Sequence, residues 1–129
     1  MRLLLKLTAI LEVPTGLALL CCPSATVSLL LGSGLDTSAA VALGRVAGVA
    51  LLALGVACWL AKHDSQSCAA RGLVSAMVLY NLGAVVIFAV AGLGSQPVGV
   101  ALWPAVILHA AMTVWCITSL MSRPPEAAK

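Results

Sequence analysis

Residues 39–61 read AAVALGRVAGVALLALGVACWLA, and Lys62-His63-Asp64-Ser65-Gln66-Ser67 follows at once. An apolar helix of roughly 20 residues crosses the hydrocarbon of a bilayer, and this run carries one charge, Arg45, and no proline. It has no polar face to turn toward water. The whole chain agrees with its second span. It is 62% apolar and 9% charged, with a mean hydropathy of +1.13, where a soluble domain carries about 25% charged residues. Too few polar groups remain to coat a water-exposed surface, so lipid is the solvent for most of the chain.

Three further segments meet the same requirement, about Leu3–Cys22, Leu73–Leu93 and Val98–Met121. The breaks between spans have turn chemistry: Pro23-Ser24 closes the first, Gly32-Ser33-Gly34-Leu35-Asp36 precedes the second, and Gly92-Leu93-Gly94-Ser95-Gln96-Pro97 joins the third to the fourth. Pro124-Pro125 ends the last helix and opens a polar tail, 122–129. The reading is an all-α membrane protein, an antiparallel four-transmembrane-helix bundle forming a single domain over 1–129. Arg2 and Lys6 before an apolar run resemble a signal peptide, but Glu12 interrupts that run and Pro23 is a poor cleavage residue, so the segment is expected to be retained.

Charge fixes the expected orientation. Arg2, Lys6, Lys62, Arg71, Arg123 and Lys129 all fall at the N-terminus, the second loop or the C-terminus, and the first and third loops hold no Lys or Arg. The positive-inside rule then places both termini in the cytoplasm, N-in and C-in, and the Ala/Leu/Gly-rich usage suits a multi-pass protein of a bacterial inner membrane. Partners are the lipid bilayer together with other membrane subunits or further copies of the chain. Nucleic acid is not expected, because the basic residues are scattered and form no patch.

Helices do not gain from burial against each other in lipid; they associate where small residues let backbones approach. Gly44-x-x-x-Gly48 and Gly55 share one face of the second span, and Gly83 offers a small residue on the third. Pro14 lies within the first span and removes a backbone donor there, which predicts a kink.

Glu12, Arg45, Asn81 and His109 are the polar groups inside the spans. Ionisable groups at such depth cost about 2.5–3.5 kcal/mol on insertion scales, so they are functional candidates. Counted from the outer boundary, Arg45 and Glu12 lie roughly 9 and 15 Å deep at ~1.5 Å per residue, which predicts an ion pair between the first two helices. Thr8, Glu12, Thr15 and Gly16 form a polar stripe on the first helix. Two uses follow for these groups. They bond helices to one another, Asn81 with His109 included, or they form a proton-linked or ligand-binding site at the midplane. His109 also has the chemistry to ligate a haem or pigment, with Ala105 one turn away leaving room for a flat ring, although the one other histidine, His63, lies in a loop. No cofactor is expected otherwise. Cys21, Cys22, Cys58, Cys68 and Cys116 contain no C-x-x-C pair and read as small apolar residues. No nucleophile–base pair, phosphate loop or metal cluster appears, so an enzyme is not expected.

The stretch Ala9-Ile10-Leu11-Glu12-Val13, with a glutamate central in the first of four helices, resembles the small multidrug resistance transporters. That resemblance implies a shared proton and drug site at Glu12. The chain departs from the family in its one-sided charge and in its aromatic residues, which the family keeps around its glutamate, whereas the one Tyr and one Phe here both fall in the third helix. Three functions follow. The first is an accessory subunit packed against a larger membrane complex. The second is a homo-oligomeric proton-coupled exporter using Glu12, and the third is a haem- or pigment-binding subunit using His109.

Overall fold

The computed structural model describes residues 1–94, 96 and 98–122. Its helices are α1 (Arg2–Cys21), α2 (Pro23–Leu31), α3 (Ser38–Ala61), α4 (Cys68–Gly92) and α5 (Leu102–Met121), with a 3-10 turn at Lys62–Asp64 between α3 and α4. No strand occurs among the described residues. Four helices are long and apolar enough to cross a membrane: α1, α3 with its following turn, α4 and α5. Ser95, Pro97 and residues 123–129 lie outside the described residues. Arg123, Pro124-Pro125, Lys129 and all but the first residue of the expected tail therefore do too.

Local chemistry sets the helix ends. Thr37 caps α3 by accepting from the Ala40 N–H at 3.1 Å, and Ser67 caps α4 by accepting from Ala70 at 3.1 Å. α1 stays helical across Pro14. The sequence reading has only a connection where α2 stands. Pro23 starts this helix at a position that needs no N–H, and Gly32 ends it at φ 76°, a left-handed conformation that glycine adopts without strain. α2 also ties the first connection to the third, since the N–H groups of Gly99 and Ala101 donate to the carbonyls of Leu30 and Leu29 at 3.1 and 2.9 Å. The Gly99 backbone sits so close to the Leu29 carbonyl that no Cβ fits.

α1 packs on α3 backbone to backbone. A Cβ on Gly16 would stand 2.7 Å from the Gly48 carbonyl oxygen, and one on Gly48 would stand 2.7 Å from that of Gly16. Gly55 faces Val13 and Glu12, and Gly44 faces Pro23 and Leu35, so contacts ascend α1 as they descend α3. Gly83 differs: a Cβ there would meet nothing within 4 Å. The expectation that Gly83 joins helices is corrected, because its face of α4 is open space.

α4 packs along α5. The two helix pairs meet in a buried core of Leu4, Leu5, Ala9, Cys58, Val74, Met77, Met112 and Cys116. These residues come from the start of α1, the end of α3, the start of α4 and the end of α5, which together form a closed end. The Cys58 thiol lies 3.6 Å from the Met77 sulfur, and Arg71 donates to the Leu120 carbonyl at 3.0 Å across the α4–α5 pair.

Candidate functional site

Beyond this core the two pairs separate. Asn81 is buried near the middle of α4, and its Nδ2 donates to the Met77 carbonyl at 2.8 Å. That bond turns the Asn81 Oδ1 toward α5, where it lies 2.8 Å from His109 Nδ1. An oxygen acceptor at that distance requires the proton to be on Nδ1, so the neutral ring keeps Nε2 as an acceptor. Thr113 donates to the His109 carbonyl at 2.8 Å. Tyr80 meets the imidazole edge-on with centroids 5.6 Å apart, and Phe88 is tilted against it at 5.8 Å. Offset aromatic contacts of this kind restrict the ring further.

Glu12 projects from the middle of α1 and is 8% exposed. Together with Thr15, Tyr80, Asn81 and His109 it lines a cavity of about 80 Å³, room for two or three waters at ~30 Å³ each. A chamber of about 520 Å³ adjoins it; Thr15, Tyr80, Leu108 and His109 line both spaces. Apolar residues such as Leu30, Leu51, Phe88 and Ala105 form most of the remaining chamber wall, together with Thr26 of α2, whose hydroxyl donates to the Cys22 carbonyl at 2.9 Å. The chamber is thus a greasy space with a polar floor.

Arg45 does not reach that floor. Glu12 lies level with Gly55, whereas the neighbouring Gly44 lies level with Pro23. Ten residues of α3 separate Gly55 from Arg45, roughly 15 Å at ~1.5 Å per residue. Arg45 is exposed, and the expected Glu12–Arg45 pair is corrected. Its physical reason is that α3 extends past the end of α1 and runs alongside α2, so depths counted from a common boundary do not align. Among the described residues no cation or hydrogen-bond donor reaches the Glu12 carboxyl. One turn nearer the closed end, the Thr8 hydroxyl is also buried without a partner.

Three of the four intramembrane candidates therefore meet, from α1, α4 and α5, and Arg45 stands apart. Tyr80 and Phe88 were missed by the sequence reading; with Ala84 they recur at i, i+4 and i+8 on the Asn81 helix, a spacing that marks a shared face. His63 is exposed at the far end of α3 and cannot approach His109. Among the described residues no three His, Cys, Asp or Glu side chains gather as a metal site. The floor offers two acceptors, the Glu12 carboxyl and the His109 Nε2, to whatever enters. An unpaired carboxylate is costly away from water, and either a proton or a bound cation removes that cost, so the two compete for one group. Compared with known proteins, the chain matches no family model, no curated protein and no solved structure.

Proposed function

We propose that the protein binds a lipophilic cation, an ammonium with an apolar body, and exchanges it for the proton of Glu12. The convergence of Glu12, Asn81 and His109 on a cavity that adjoins a larger apolar chamber carries this reading. The apolar body occupies the chamber and the ammonium meets the two acceptors, with Tyr80 and Phe88 offering ring faces. In the exchange the Glu12 O–H bond breaks, the proton leaves to water, and the carboxylate keeps the cation. On this reading both termini are cytoplasmic, as the distribution of Lys and Arg supports, and the spans form an antiparallel four-helix bundle in a bacterial inner membrane, which the Ala/Leu/Gly-rich composition suits. As a homo-oligomer, such a site serves proton-coupled export. The test uses purified protein in weakly buffered detergent with octylammonium chloride and a pH indicator. Release of up to one proton per chain, lost in Glu12→Gln, is expected; equal release from Glu12→Gln would sink the proposal.

Arg45 favours a second reading. It is exposed on a membrane-crossing helix without a carboxylate partner among the described residues, and a carboxylate on a neighbouring subunit would satisfy it. That is the accessory-subunit function, which native mass spectrometry of the assembly from its own membrane tests: further chains would support it, and a single species of chain would count against it. Haem or pigment at His109 is a third use of the same chamber, and a visible absorption band lost in His109→Ala would identify it.

A further inference from the structure

At the closed end three basic residues gather on the seam between α1 and α3. Arg2 and Lys6 lie one turn apart on α1, and the Lys62–Asp64 turn packs against that helix. Lys62 is 7% exposed, and its Nζ stands 3.3 Å from the centre of the Trp59 ring. The indole face attracts an ammonium but brings no counter-charge. No carboxylate among the described residues forms an ion pair with any of the three. Like charges held together without an anion are unfavourable, so the cluster is suited to one from outside.

An apolar groove of about 480 Å³ adjoins the cluster along the same seam. Ala9, Ile10 and Val13 of α1 form one wall, and Val56, Trp59 and Leu60 of α3 form the other. Ile10 is one turn beyond Lys6, and Trp59 belongs to both groove and cluster. An indole at such a junction matches the boundary between headgroups and acyl chains. Gly55, without a side chain, deepens the groove between the walls. Charge above and a narrow apolar slot below are the two halves of one amphiphile's outline.

We infer that this seam binds an anionic phospholipid, its phosphate held by Arg2 and Lys6 with the charge of the nearly covered Lys62 added to theirs, and one acyl chain lying in the groove toward Pro14. The inference stands apart from the proposed exchange at Glu12. On the cytoplasmic face, where the charge distribution puts this end, anionic lipid is the lipid that basic pockets between helices select.

The test is native mass spectrometry of the full chain in detergent, titrated with dioleoylphosphatidylglycerol and, separately, dioleoylphosphatidylcholine. The wild type is expected to retain the anionic lipid preferentially. Lys6→Gln weakens it about fivefold, and Lys6→Gln with Lys62→Gln roughly thirtyfold, at about a factor of five per charge. Arg45→Gln, toward the opposite end of α3 from Lys62, leaves retention unchanged. Val56→Trp fills the groove without touching the charges and lowers retention of the anionic lipid. Because Lys62 is buried, Lys6→Gln and Val56→Trp keep the test sound if the double variant fails to fold. Equal retention of the two lipids by the wild type would overturn the inference. So would anionic-lipid retention unmoved by both Lys6→Gln and Val56→Trp.

Discussion

The two ends of the molecule are built on different terms. At the closed end the helix pairs meet through Leu4, Leu5, Val74, Met77 and Cys116, all fully buried. At the other end the two helix pairs, each still packed within itself, stand apart around a chamber of about 520 Å³. Polar groups mark the change: Thr8 lies in the closed region, Glu12 one turn on, and His109 reaches both the small cavity and the chamber. A uniformly packed bundle would have no space for a ligand, and one open throughout would lack rigidity to position the acceptors. Close packing and open space are divided lengthwise along the same four helices.

That division can be broken experimentally. The largest effect is expected at the α1–α3 seam, where Gly48→Leu sets a side chain against the α1 backbone at Gly16, Leu19 and Leu20. Overpacking commonly costs about 1–3 kcal/mol, and a site with no flexible neighbour belongs at or above about 3 kcal/mol; denaturant titration of the detergent-solubilised protein measures it. Gly83→Ala, the contrasting glycine, meets open space and should leave stability unchanged or raise it by up to about 1 kcal/mol through helix propensity. Next comes the core: Leu5→Ala at the closed end should cost about 2–4 kcal/mol. Leu108→Ala, on the chamber wall and 42% exposed, should cost less than about 1 kcal/mol in the same titration. Smallest is Arg45→Gln, expected within about 0.5 kcal/mol because Arg45 is exposed and remote from Glu12. A loss of several kcal/mol there would restore the ion pair and erase the contrast between the ends.

Much of this architecture was legible in the residues. Long apolar runs and their turn punctuation locate the spans, because a bilayer imposes a length that a sequence either meets or does not. Asn81 and His109, each central in its span, could be placed at similar depth by counting. α2 could not be seen: nine residues are too few for a span, and a short apolar stretch between turn signals does not declare itself a helix. Missing it also misplaced Arg45, since only the register of Gly16 on Gly48 shows how far α3 extends beyond α1. Gly83 failed for a related reason. A small residue permits close approach, but which helix approaches is a property of the assembled bundle.

Chemical modification of Glu12 itself probes the proposed exchange of cation for proton. Dicyclohexylcarbodiimide, an apolar reagent for protonated carboxyls, is applied to the membrane-embedded protein with and without dimethyloctylammonium, a cation that keeps one N–H donor and whose tertiary amine forms no stable amide with the activated acid. Peptide mass spectrometry then reads the adduct. Modification at Glu12 that the cation suppresses is the expected result. Modification unaffected by the cation, or confined to the exposed Asp36 and Asp64, would contradict it.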